Sequence, residues 1–210
     1  MSIKEEKILR VCNYAKDPTK SYGGKSFYTG YHDIKLGGTV YKGQRSNSVR
    51  LSNIKYDFKD KVVFDIGCNS GGVLHELAPI IKYGVGVDSN SNYINVANII
   101  KDYNQTNNIN FYTFNLDKQN IPNLSDFILQ DKVDVCFFLS MAKWVKKWVE
   151  VVRYCSTICN VILFETNGNR KEQNTQEKVV RQYYPNTTII YKQSLDDVSQ
   201  HDRRLLMGIK

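Results

Sequence analysis

Asp65-Ile66-Gly67-Cys68-Asn69-Ser70-Gly71-Gly72 is the stretch whose reading decides the fold. It continues an apolar run, Val62-Val63-Phe64, with no polar alternation. Such a run marks a strand buried on both faces. The glycine-rich turn comes next, and then residues 73–81, where Leu74, Leu77, Ala78 and Ile81 share one helical face. Strand, sharp turn and helix make one α/β unit. Gly67 and Gly71 let the backbone approach a ligand closely, which a β-carbon would block. Asp65 ends the strand, where its carboxylate can accept from a ligand ammonium or a bridging water.

Working outward, the same alternation recurs. Strands are expected at 83–88, 109–115, 133–139 and 160–165. Helices are expected at 93–103, 124–129 and 175–183, with another containing Trp144, Val145, Trp148, Val151 and Val152. Two last strands, 187–192 and 203–209, have only a loop between them and should pair antiparallel. Alternating strands and helices imply a parallel sheet covered on both faces. The expected fold is therefore α/β and Rossmann-like: a seven-stranded, mostly parallel sheet with an antiparallel C-terminal hairpin. Upstream, 5–14 reads as a helix ended by Asp17-Pro18. A loop rich in Gly and Tyr follows, 21–43. Within it 32–36 and 39–41 alternate around Gly37-Gly38, a β-hairpin signal. The chain reads as one domain over 1–210. Residues 1–58 form a helix and hairpin expected to cap an acceptor site, and 59–210 form the core.

Composition sets wider bounds. The 210 residues are 41% hydrophobic and 12% aromatic, enough for a packed core. No apolar run reaches the roughly 18 residues of a membrane span, and the charged N-terminus has no signal-peptide core. The expectation is an intracellular, cytoplasmic protein with no membrane insertion. Cys12, Cys68, Cys136, Cys155 and Cys159 form no CxxC pair, so reduced buried thiols are expected. The net charge of +8 allows a polyanionic partner, but the basic residues are scattered.

Asp88 lies at the end of the second core strand, where Rossmann-type sheets place an acid against ribose hydroxyls. Asp117 follows the third, where Asn115-Leu116-Asp117 can face an adenine. A nicotinamide dinucleotide fits poorly. The glycine that admits a pyrophosphate is Asn69 here, and Asp65 would set a negative charge beside it. A cationic ligand suits this turn better.

These residues resemble a known family. Asp65 to Gly71 looks like motif I of class I S-adenosylmethionine (SAM)-dependent methyltransferases. Val87-Asp88, Asn115-Leu116-Asp117 and Asp134 to Ser140 look like its later motifs. The resemblance implies SAM as cofactor and S-adenosylhomocysteine (SAH) as product. It implies cofactor contacts from Asp65, Gly67, Asn69, Gly71, Asp88, Ser89, Asp117 and Ser140. Arg45 is expected to hold the SAM carboxylate through a bidentate pair. The segment from Tyr31 to Arg45 resembles small methyltransferases of polysaccharide loci. It also resembles the methyltransferase module fused to glycosyltransferases in chlorella-type viruses, which would place the protein in host cytoplasm. That likeness implies O-methylation of a sugar hydroxyl, such as one on rhamnose.

Methyl transfer is an in-line SN2 displacement, so alignment matters most. An aliphatic hydroxyl also gains from a general base. His32 and Glu165 are the candidates for that role. Tyr31, Lys143, Trp144 and His201 are the candidate acceptor contacts, and His75 reads as structural. Ser140-Met141-Ala142-Lys143-Trp144 also resembles RNA 5′-phosphate capping methyltransferases, and with Lys146-Lys147 it keeps an RNA acceptor open. A non-catalytic SAM-binding protein is the third reading. No metal is expected, because Lys143 stands where catechol-type enzymes place acidic ligands.

Overall fold

The structure is a computed structural model that describes residues 1–17, 19–20, 29–130, 132–194, 196–197 and 202–210. The elements are, in chain order, α1 (Ile3–Ala15), β1 (Ile34–Leu36), β2 (Thr39–Tyr41), α2 (Asn47–Ser52), β3 (Val62–Ile66), α3 (Gly72–Leu77), β4 (Tyr83–Asp88), α4 (Ser91–Tyr103), β5 (Ile109–Thr113), a 3-10 turn (Ile121–Phe127), β6 (Val135–Leu139), α5 (Trp148–Ile158), β7 (Val161–Glu165), α6 (Arg170–Tyr183), β8 (Asn186–Tyr191) and β9 (Leu205–Ile209). The main sheet has seven strands in the order β5-β4-β3-β6-β7-β9-β8. Six run in one direction, five of them pairing side by side, and β9 runs antiparallel between β7 and β8. This is the expected fold.

Burial on both faces explains the unbroken apolar strands. In β3, Phe64 and Ile66 face one core layer while Val63 faces the other. In β6, Cys136 and Phe138 join the first layer, and Val135, Phe137 and Leu139 the second. Each such side chain contributes about 1.5–3 kcal/mol on burial. All five cysteines are free and buried, as their spacing implies. No helix among the described residues is long and apolar enough to cross a membrane.

Several boundaries differ from expectation for local reasons. Helix α3 ends at Leu77 instead of Ile81, because Pro79 has no N–H for the next rung. The expected helix around Trp144 starts only at Trp148. Its upstream amides are taken by side chains: Lys143 N–H donates to Asn167 (2.9 Å) and Lys147 N–H to Asp117 (3.1 Å). The 124–129 segment is a 3-10 turn with Pro122 in its first residues. Helix α6 starts five residues earlier than expected, on a capping box of Asn169 and Glu172. The short helix α2 carried no sequence signal. Its cap comes from elsewhere, since Asp33 accepts from both the Asn47 amide (3.0 Å) and its side chain (2.7 Å).

The N-terminal segment divides in two. Leu9 and Cys12 of α1 pack with Ile34, Leu36, Val96 and Ile100. Asn104, just past α4, accepts from Gly37 N–H (3.0 Å) and donates to the Lys35 carbonyl (2.8 Å). Because α4 runs back from the carboxyl ends of the strands, this places the hairpin tip at the opposite edge. Within residues 1–58 the hairpin is thus no cap. The segments flanking it, around His32 and from Gln44 to Arg50, are what reach the carboxyl edge.

Candidate active site

The turn after β3 takes the conformation its glycines allow. Gly67 has φ +85°, and a β-carbon there would lie 2.6 Å from the Met141 side chain. Gly71 has φ +75°, with the Phe111 ring 2.5 Å from the same position. Two non-glycine residues at this edge are also left-handed: Asn69 (φ +51°) and Ser140 (φ +59°). That conformation carries strain for residues with a side chain, and such strain gathers at functional sites.

Three acids line the ends of β3, β4 and β5. Asp65 is buried, and its Oδ2 hydrogen-bonds to none of the described residues. Burial pushes its carboxyl up to about 7, with Asp88 adding and Arg50 opposing. Ser70 Oγ nearby is likewise buried without a partner. Asp88 accepts from the Asn69 amide (2.9 Å) on one oxygen and the Asn90 amide (2.9 Å) on the other. Gly67, Asp88, Ser89, Asn115, Asp117 and Trp144 surround a cleft of about 240 Å³. A carboxylate without a cation beside a tight backbone turn and an acid-lined cleft suits a ligand bearing an ammonium group and hydroxyls. A cleft of about 850 Å³ lies away from this edge, among the hairpin, α3 and the end of α4. Its size is not matched by convergent chemistry: His75, on its wall, is committed to the Ala97 carbonyl (3.1 Å).

Beside the cleft sits a buried ionic hub. Arg45 is only 1% exposed. Its Nη1 and Nη2 fork onto Glu165 (2.6 and 2.7 Å), and its Nε and Nη2 onto Asp196 (2.7 Å each). Ser194 (2.7 Å) and Tyr31 (3.2 Å) take further contacts. All three nitrogens of the guanidinium are thus spent on the protein, so the expected clamp on a ligand carboxylate has no spare donor. Glu165 is equally committed, to Arg45, Arg50 (3.1 Å), Tyr191 (2.9 Å) and the Ser140 hydroxyl. Burial would raise its carboxyl, but Arg45 and Arg50 outweigh this and hold it far below the usual carboxylate range. Arg203 ties Tyr31 (2.9 Å), Ser140 (3.1 Å) and Asp197 (3.5 Å) together.

His32 is 3% exposed, and both ring nitrogens are without a hydrogen bond to the described residues. Burial, reinforced by Arg50 and Arg45, holds it down to about 3. It is neutral at ordinary pH, with a lone pair available. The Tyr31 ring lies 4.9 Å away. Burial raises the Tyr31 phenol, but Arg45, Arg203 and Arg50 together leave it below the ordinary value. Trp144 is 63% exposed, with Lys20 and Lys143 at 5.0 and 5.9 Å from its ring. His201 lies outside the described residues. Sequence reasoning missed Ser70, Arg50, Ser194, Asp196, Asp197 and Arg203. The only available signal was polar residues next to apolar strand ends, with no local spacing to join them.

No protein-family model matches the chain, and no curated protein matches it. Solved structures do. The N-terminal domain of EvdMO1 with SAH bound aligns at a TM-score of 0.69 and 8% identity, over 100% of this chain and 99% of that one. The same domain in the presence of SAH and D-fucose gives 0.67 at 8% identity, with the same coverage. Against whole EvdMO1 (TM-score 0.67, 10% identity) this chain is covered to 97% but spans only 47% of its partner, about half the length. The precorrin-6y C5,15-methyltransferase of Geobacter metallireducens GS-15 aligns at 0.58 and 13% identity, over 78% of this chain and 88% of that one. At identities this low, the alignments show a shared Rossmann-like fold.

Proposed function

We propose that the protein is a SAM-dependent O-methyltransferase acting on a sugar hydroxyl. The observation that carries the cofactor reading is Asp65: a buried carboxyl beside the Gly67–Gly71 turn whose Oδ2 meets no described residue and whose ionised form lacks a cation. Such a group is costly unless a cation completes it. In this reading Asp65 meets the SAM ammonium, with Ser70 beside it. Asp88 and Ser89 hold the ribose, and Asp117 borders the adenine. When bound, SAM supplies an electrophilic methyl group on its sulfonium.

His32 is assigned as the general base. It is neutral, and neither ring nitrogen hydrogen-bonds to a described residue. Held at about 3 it is a weak base, so it takes the proton as the methyl group is transferred, when the hydroxyl has become strongly acidic. Glu165 is a poor base, since Arg45 and Arg50 hold its carboxyl far below the usual range and both oxygens are occupied; with Arg45 it positions Ser140 and Tyr31 instead. The sugar acceptor rests on two supports. The Tyr31–Arg45 segment resembles methyltransferases of polysaccharide loci, and a neighbour covering the whole chain was crystallised with D-fucose. Transfer of radiolabelled methyl from SAM, run on rhamnose-terminated oligosaccharides and on total RNA, tests the reading. Label in the sugar upholds it; label in RNA alone overturns it.

A further inference from the structure

A second cleft, of about 420 Å³, opens at the same edge of the sheet. It lies between the 141–147 turn after β6 and the start of α6 after β7. Exposed Lys143, Lys146 and Lys171 line it, together with the Thr175 hydroxyl. Glu172 is the one acid on its wall, and its carboxylate accepts from the Asn169 amide (2.6 Å) in the helix cap. Three lysines against one carboxylate leave this small space a net charge of +2. The first turn of α6, a helix of 14 residues, adds its positive dipole end.

This groove and the cofactor cleft share Val145 as a common wall. Trp144 stands on the turn between them, exposed, with Lys20 and Lys143 against its ring. An aromatic face on the ridge is a surface on which a sugar ring or a base can stack. The groove's volume falls in the range of small-molecule sites. Building on the sugar methyltransferase reading, we infer that the acceptor is an activated sugar: its diphosphate seats against Lys143, Lys146 and Lys171 while its ring crosses Trp144 toward the cofactor cleft. The two negative charges of a nucleoside-diphosphate sugar match the groove's net charge. A reaction that builds nucleotide-linked sugars must then precede this one, and a glycosyl transfer would consume the product.

Two measurements on the whole protein test this. Calorimetry, with SAH present, follows binding of uridine diphosphate and of inorganic pyrophosphate. Initial rates then compare a nucleoside-diphosphate hexose with the methyl glycoside of the same hexose. Uridine diphosphate should bind, with affinity falling as salt rises. Lys146→Ala/Lys171→Ala should weaken it about a hundredfold, each lost charge-assisted contact being worth about tenfold. The variant's SAH affinity reports that it is folded. KM for the nucleotide sugar should be at least tenfold below that of the glycoside. Absence of phosphate binding, or binding untouched by the double variant, overturns the inference; if the glycoside is still methylated, the sugar methyltransferase reading stands alone. Methyl transfer to RNA but to neither sugar overturns both.

Discussion

The cofactor cleft and the ionic hub lie side by side on one sheet edge, and they differ in completeness. On the cofactor side, the end of β3 and the turn after it leave Asp65 and Ser70 with buried polar atoms that no described residue satisfies. In the hub, Arg45 and Glu165 each use both arms of a forked contact. Arg50 Nε hydrogen-bonds to no described residue, yet it faces Asp196 at 3.3 Å, so the hub is balanced in charge by its own residues. Three arginines, Arg45, Arg50 and Arg203, face three acids, Glu165, Asp196 and Asp197. A region that is satisfied without a ligand holds structure. A region that needs one reports where the ligand goes.

The sharpest way to break this contrast is to remove one hub partner. Glu165→Ala takes the shared acid from Arg45 and Arg50 and leaves the two buried guanidiniums on Asp196. It should lower unfolding stability by about 3–5 kcal/mol in denaturant titrations. A loss below about 1 kcal/mol would show that the hub is not self-sufficient. His32, between the two regions, should separate from both. His32→Ala should cut turnover by about a hundredfold while SAH affinity stays constant. Normal turnover removes it from the base role.

Asp65→Asn should do the reverse of Glu165→Ala. No described partner is lost at Oδ2 and a buried ionisable group is removed, so denaturant stability at neutral pH should hold or rise, while SAH affinity falls about ten- to a hundredfold by calorimetry. Equal affinity in the variant would sink the cofactor assignment. A smaller effect follows from pH. In the free protein the Asp65 carboxyl stays protonated up to about 7, under burial and Asp88 against the pull of Arg50. A ligand ammonium pairs only with the carboxylate, so binding expels a proton. Affinity should fall about tenfold per unit as pH drops from 7 to 5, and the slope should vanish in Asp65→Asn. Folding has the opposite sign at this residue. The folded chain holds a proton here between about 3.8 and 7 that the unfolded chain has released, so the stability Asp65 contributes is lost as pH rises through 7. His32, held at about 3 against 6.5 unfolded, has the contrary slope: its contribution is lost as pH falls below 6.5.

The same contrast explains what could be read in the sequence. The cofactor side was legible because its parts are local. Asp65, Gly67 and Gly71 fall within seven residues, and Asp88 and Asp117 each follow a strand whose apolar pattern is plain. The hub was not, because the pairs of Arg45 and Arg50 with Glu165 and Asp196 join residues 115–151 positions apart. Arg45 and Glu165 were both singled out, yet nothing in their local context said that they meet each other. The turn at 141–147 was misread as helix because Trp144, Val145 and Trp148 keep helical spacing. Side chains of Asn167 and Asp117, invisible to local pattern, took the amides a helix needs.

The span of the hub also sets an order of events during synthesis. Arg45 emerges 120 residues ahead of Glu165. At about 5–20 residues per second it waits roughly 6–24 s for its first partner, and longer for Asp196. Until then its charge must stay in water, and so must the segment that carries it. Strand β9 adds to the delay, since it enters between β7 and β8 only after both have been made. The edge that carries the chemistry is therefore the last part of this fold to close.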